Sequence, residues 1–127
     1  MIAVDTSALL AIVFDEPAAD RCARALEAED RVLISAVTVA ESLIVSAGRR
    51  VQDVTARLID EFGFEIVPVT RLVALKVGAA YDRWGKGRHA SNLNFGDCFA
   101  YVVARECGCP LLFVGKDFSK TDVTGVL

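Results

Sequence analysis

Residues 1–14 read MIAVDTSALLAIVF, and the change of pattern inside them decides the fold. Ile2-Ala3-Val4 is a short apolar run of strand-forming character, Asp5-Thr6-Ser7 supplies residues suited to capping, and ALLAIVF continues as a helix. A strand that hands over directly to a helix is half of a βαβ unit, and the handover recurs. Val32-Leu33-Ile34 leads through Ser35 into the helix AVTVAESLIVSAG, which Gly48 ends. Phe64 to Val69, with Pro68 near its end, leads through Thr70 into a helix reaching about Trp84. Asn94 precedes a helix from Phe95 to Cys107, Gly108 and Pro110 punctuate its end, and Leu111 to Val114 is the fourth strand. Two further helices are predicted, one with Pro17 in its first turn and one over about 51–62, and Val123 to Leu127 is a candidate edge strand. Strands alternating with helices predict a parallel sheet with right-handed crossovers. At 127 residues the expectation is one α/β domain spanning 1–127: three layers, α/β/α, around a mostly parallel sheet of four to five strands.

Four carboxylates follow those strands. Asp5 comes after IAV, Glu41 beyond VLIS, Asp97 within NFGD and Asp117 after LLFV. In a wound α/β sheet the carboxyl ends of the strands share one edge, where ligands bind, so acids more than a hundred residues apart can converge. Four packed carboxylates repel one another unless a cation holds them. Hard oxygen donors without a matching Cys/His set point to Mg2+ or Mn2+, ions that most often serve phosphoryl chemistry. Each acid also has a plainer reading. Asp5 can simply cap the first helix, and Asp117 can be a turn residue after Gly115. Asn94 with Asp97 has the spacing of a capping box, which is compatible with metal binding because a helix N-terminus favours an ionised acid. Glu41 stands among AVTVA and SLIVSA, where an ionised side chain is costly unless it is paired, metal-bound or facing water.

Composition bounds the alternatives. An apolar fraction of 54% is high for this length and predicts an exposed apolar patch, hence a homodimer, a protein partner or both. No apolar run approaches a membrane span and the start lacks a basic signal-peptide region, so a cytoplasmic protein without membrane contact is expected. Cys22, Cys98, Cys107 and Cys109 read as reduced thiols, since one C-x-C pair is a poor zinc signal. His89 is the only histidine and no Ser lies in G-x-S-x-G, which disfavours a nucleophilic hydrolase. Aspartyl-phosphate chemistry needs a second Asp two residues after Asp5, where Ser7 stands. The net charge of −3 argues only weakly against nucleic acid, because bound divalent ions reverse the local sign and basic stretches remain. Lys86, Arg88 and His89, just after Arg83 and Trp84, form one such stretch; the alternatives are an ordinary solvated loop with Trp84 anchoring its helix in the core. Lys116 and Lys120 flank Asp117 and are candidates for holding phosphate.

IAVDTSALLAIVFDEP, ISAVTVAESL, LNFGDCFAYVVAR and LLFVGKDFSKTDV, in that order and spacing, make the chain resemble the PIN-domain ribonucleases, particularly the VapC-type toxins of VapBC toxin–antitoxin pairs. The resemblance runs from end to end. It implies a PIN-like fold, an acidic metal-binding and catalytic set of Asp5, Glu41, Asp97 and Asp117, and Mg2+ or Mn2+ as cofactor. Asp5 and Asp97 are implied as direct ligands, with Ser7 hydrogen-bonded within the set and Asn94 a polar neighbour; Asp122 is a candidate extra acid or a surface turn. The implied activity is metal-dependent endoribonuclease action on structured RNA, transfer RNA among the candidates. The implied partner is a VapB-type antitoxin that docks an amphipathic segment on apolar surface and blocks the site. The alternative is an interaction module of the same fold that binds RNA or protein without cutting.

Overall fold

The computed structural model describes residues 1–127. Four short strands, β1 (Ile2–Val4), β2 (Val32–Ser35), β3 (Glu65–Val67) and β4 (Leu111–Leu112), form one sheet in the order β3-β2-β1-β4, and every pairing is parallel. Crossover helices are α1 (Thr6–Val13) and α2 (Ala19–Glu27), then α3 (Ala36–Ala47) and α4 (Gln52–Glu61), then α5 (Arg71–Trp84) and α6 (Phe95–Cys107). The first two crossovers move outward from β1 to β3, and the third returns to the other side of β1. The strand order therefore reverses between β1 and β4, and the crevice beyond the carboxyl ends of that pair is where such sheets bind ligands.

Alternation along the strands divides the core into two layers. Ile2, Val4, Val32, Ile34 and Leu112 join Leu9, Cys22, Leu26 and Ile59 on the α1/α2/α4 face, while Ala3, Leu33 and Leu111 join Val77, Trp84 and the body of α6 on the other. Helix α6 is buried continuously from Gly96 to Ala104, so its sequence reads apolar on every side. Gly108 ends it in the left-handed conformation at φ 61°, which a residue without Cβ adopts without strain.

Several sequence expectations shift in detail. The second helix starts at Ala19, not Pro17, because Asp15 turns left-handed at φ 52° before it. Strand β3 stops at Val67, ahead of Pro68, which has no N–H for a ladder. β4 spans two residues because the Val114 N–H turns to the Ser7 hydroxyl instead of a neighbouring strand. The tail adds only an isolated parallel bridge, Leu111 with Gly125, so the sheet stays at four strands.

α3 turns small polar residues inward. Its buried residues are Thr38, Ser42 and Ser46, whereas Ile44 is 71% exposed. Ser42 and Ser46 donate to the carbonyls of Thr38 and Ser42 at 2.8 and 2.7 Å, so their hydroxyls are satisfied without water. Other large apolar side chains at the surface are Val45, Ile66, Val69, Leu72, Leu75 and Phe95. No helix is long and apolar enough to cross a membrane.

Candidate metal centre

Asp5 leaves β1 as the N-cap of α1. Its Oδ2 accepts from the Ser7 backbone N–H at 3.0 Å and from the Ser7 hydroxyl at 2.7 Å. The same hydroxyl accepts the Val114 N–H at 3.0 Å, so Ser7 ties the exit of β1 to the exit of β4. Asp5 is 3% exposed, and its other oxygen, Oδ1, is buried with no hydrogen-bond partner. An unpartnered buried carboxylate oxygen is costly unless a proton or a cation meets it. Burial, with a smaller push from the Glu41 charge, raises the Asp5 carboxyl above its ordinary range against the lowering effect of Ser7.

Glu41 reaches across from α3. Its Oε1 accepts from the Thr6 hydroxyl at 2.5 Å, and its carboxylate lies directly on the Cα of Gly96. Asp97 sits in the first turn of α6 inside a complete capping box: the Asn94 N–H donates to Asp97 Oδ2 at 2.9 Å, and the Asp97 N–H donates to Asn94 Oδ1 at 2.8 Å. Burial pushes Asp97 up to about 7, the Asn94 hydrogen bond opposes this, and the charges of Asp5, Asp117 and Glu41 push further. Asp117 opens a 3-10 turn, Asp117–Lys120, and is exposed.

One cleft of about 250 Å³ is lined by Asp5, Thr6, Ser7, Glu41, Asn94, Asp97 and Asp117, with Leu10, Val45, Val114 and Phe118 completing its wall. The four acids and two supporting polar residues expected from sequence therefore meet at the β1/β4 reversal. No three carboxylates stand at ready-made metal-holding spacing. The donor chemistry nevertheless fits a hard divalent cation, because the acidic groups are all carboxylates and Asp5 Oδ1 is a buried oxygen without a donor.

The basic candidates lie outside this cleft wall. Arg88 pairs with Asp82 at 3.3 Å, and His89 stacks edge-on against Trp84 with its Nδ1 2.9 Å from the Ser91 hydroxyl. Lys86 and Lys116 are exposed. Trp84 is 8% exposed and donates to Tyr101, which settles it as a core anchor and not an open stacking surface. Asp122 is turned away from the acids, accepting from the Tyr101 hydroxyl at 2.7 Å. Thr6 and Gly96 escaped the sequence reading as site residues. Thr6 has the signal of a third cap-type residue beside Asp5 and Ser7, and Gly96 that of a glycine beside a helix-capping acid without any positive φ to require it.

Residues 2–123 match the family model described as PIN domain. Ribonuclease VapC30 of Mycobacterium tuberculosis is 40% identical over 126 residues, covering 97% of this chain and 96% of the relative. Among solved structures, Mycobacterium tuberculosis VapC20, described as a sarcin-ricin loop cleaving toxin, superposes with a TM-score of 0.82 at 20% identity, covering 99% and 98% of the two chains. A toxin–antitoxin complex from Klebsiella pneumoniae gives a TM-score of 0.72 at 21% identity, covering 96% of this chain and 93% of that one. With its acids gathered at the strand-order reversal and with near-complete coverage in both directions, the chain belongs to the PIN-domain family, among its VapC members.

Proposed function

We propose that this protein is an endoribonuclease dependent on Mg2+ or Mn2+, hydrolysing RNA phosphodiesters as the toxin of a type II toxin–antitoxin pair. The observation that carries the proposal is the convergence of Asp5, Glu41, Asp97 and Asp117 on one cleft, with a buried Asp5 oxygen that lacks any donor. The names of the relatives support the substrate class, VapC30 being a ribonuclease.

Asp5 and Asp97 would hold the ion directly, with Glu41 and Asp117 completing the acidic set. A bound divalent ion supplies an acidified water and neutralises charge developing at phosphorus. The chain's own residues do the positioning. Ser7 fixes one Asp5 oxygen and leaves the other free, Thr6 holds Glu41, and the capping box fixes Asp97. Asp117 stands at the open lip, with Lys116 and Lys120 beside it to meet phosphate. The family resemblance sets the expected products as a 5′-phosphate and a 3′-hydroxyl.

A VapB-type antitoxin is the proposed partner, supported by the likeness to a toxin–antitoxin complex. Val45 and Leu10 line the acid cleft itself, so an apolar segment docked there would cover the acids. A homodimer using other apolar surface, such as Leu72 and Leu75, and a cytoplasmic location belong to the same reading.

The test is cleavage of end-labelled total and transfer RNA by antitoxin-free protein with Mg2+ or Mn2+, alongside EDTA and Asp97→Asn controls. Discrete cuts lost in both controls are expected. Identical background in wild type and Asp97→Asn, with RNA or antitoxin still bound, would replace the enzyme by a non-cutting interaction module.

A further inference from the structure

A second cleft, of about 270 Å³, opens between α5 and α6, walled by Lys76, Arg83, Trp84, Tyr101, Arg105 and Glu106. Trp84 and Tyr101 in its wall begin a relay that runs from the core out to Asp122. Trp84 Nε1 donates to the Tyr101 hydroxyl at 2.9 Å, and that hydroxyl donates to Asp122 Oδ1 at 2.7 Å. At the relay's outer end the charges are poorly satisfied. Asp122 Oδ2 faces two guanidinium groups at once, Arg83 Nη1 at 3.6 Å and Arg105 Nη2 at 3.7 Å, both beyond hydrogen-bond length. The two arginine side chains are 63% and 53% exposed, so one carboxylate oxygen leaves most of their donors open. Arg83 lies with its guanidinium carbon 4.3 Å above the Trp84 ring, which fixes its plane. Lys76 is paired with Glu106. The cleft thus presents two oriented guanidinium forks on a rigid base, the arrangement that suits phosphate.

Its position gives the direction of the ligand. Asp97, Tyr101 and Arg105 are spaced i, i+4, i+8, a single stripe of α6 that starts in the acid cleft and ends in this one. Each step along the stripe advances about 6 Å. In parallel, the Asp117–Lys120 turn leads from the acid lip to Asp122, and Phe118 lines the acid cleft.

We propose that the Arg83/Arg105 cleft is a phosphate-binding track for the RNA strand, seating the phosphates next to the one held at the acids. This deepens the nuclease reading and rests on it for the identity of the strand. An acidic peptide has no reason to continue into a carboxylate cluster, whereas a polynucleotide whose scissile phosphate sits there must leave along some such path. Asp122 is the built-in competitor, holding both arginines in place until phosphate takes their donors.

The test uses the full-length chain in EDTA, with fluorescein-labelled poly(U) RNA as probe and labelled poly-glutamate as the competing polyanion, read by anisotropy. On a single strand each phosphate contact carries a salt slope of about 0.7, which at about 0.1 M salt is a factor of about five in affinity. Arg83→Gln and Arg105→Gln should each weaken poly(U) by about five-fold and together by about 25-fold, each lowering the salt slope by about 0.7. Asp122→Asn should strengthen binding, because it removes the competitor. A merely structural triad predicts the opposite for Asp122→Asn, so weaker binding in that variant overturns the proposal. Unchanged poly(U) affinity in the arginine variants overturns it too, as does an equal loss for poly-glutamate, which would mark a site for acidic protein. The two readings fail separately. Arginine-dependent RNA binding without cleavage in Mn2+ sinks the nuclease and keeps the cleft; arginine-independent binding with normal cleavage does the reverse.

Discussion

Gly96→Ala is the sharpest probe of how the acids are held. A Cβ at this position would lie 2.8 Å from Glu41 Cδ and Oε1 and closer still to Oε2, where ordinary contact begins at 3.4 Å. The backbone of α6 cannot give way easily, because both capping-box bonds fix this turn. The Glu41 side chain must therefore retreat, by about 1 Å to bring Oε2 to ordinary contact, and its bond from Thr6 lengthens or breaks. Stability should fall without abolishing the fold. Alanine in a helix is favoured over glycine by about 0.5–1 kcal/mol, and a lost hydrogen bond to a charged group costs about 1.5–3 kcal/mol, leaving a net loss of about 0.5–2.5 kcal/mol. Activity should change more, since misplacing a site group by about 1 Å can cost about 100-fold. The expectation is a 10- to 100-fold drop in the rate of RNA cleavage, by the estimate for such displacements, in a variant that still unfolds cooperatively. Cleavage rate and thermal unfolding measured on the same preparation decide it. Wild-type turnover in Gly96→Ala, or a rate loss that merely tracks the unfolded fraction, would refute the claim that Gly96 sets the place of Glu41.

Three further outcomes are expected. Mn2+ should stabilise the wild type by about 2.7 kcal/mol at a hundred times its dissociation constant, and this gain should vanish in Asp5→Asn and Asp97→Asn; an equal gain in the variants removes these acids as ligands. In the metal-free protein Asp97 titrates near 7, above its ordinary 3.8. Its folded form therefore keeps a proton that the unfolded chain gives up, so its contribution to stability is complete below the ordinary value and is lost as pH rises through about 7. Denaturation curves across that window should show wild type losing ground to Asp97→Asn as pH rises, and a constant difference would contradict the assignment. Thr55 Oγ1 is buried without a partner, so Thr55→Val should stabilise the protein by about 1 kcal/mol, and a lower denaturant midpoint would show that the hydroxyl is satisfied after all.

The sequence made the strand-to-helix handovers legible because capping residues are local signals. Asp5, Ser35, Thr70 and Asn94 each accept a backbone N–H at the helix start they were expected to mark. The convergence of the acids was legible only through topology, since nothing local to Asp117 links it to Asp5. Strand lengths were less readable: apolar content carries past Leu112 into Phe113 and Val114, but the Ser7 hydroxyl, 107 residues away, takes the Val114 N–H. The inward face of α3 was not legible, because Glu41 stands among apolar or small residues and side-chain-to-backbone bonds let Ser42 and Ser46 face inward while Ile44 and Val45 stay exposed. The contact of Glu41 with Gly96 needs two helices at a set distance, which no single stretch of sequence encodes.

That Ser7 bridge has a consequence for biosynthesis. One hydroxyl orders both Asp5 and the exit of β4, so the acidic centre is jointly owned by segments synthesised 107 residues apart. A nascent chain that has released β1, β2 and β3 from the ribosome still lacks β4, the second neighbour of β1, and the turn that carries Asp117. Until that later segment docks, the growing polypeptide has no assembled acidic centre.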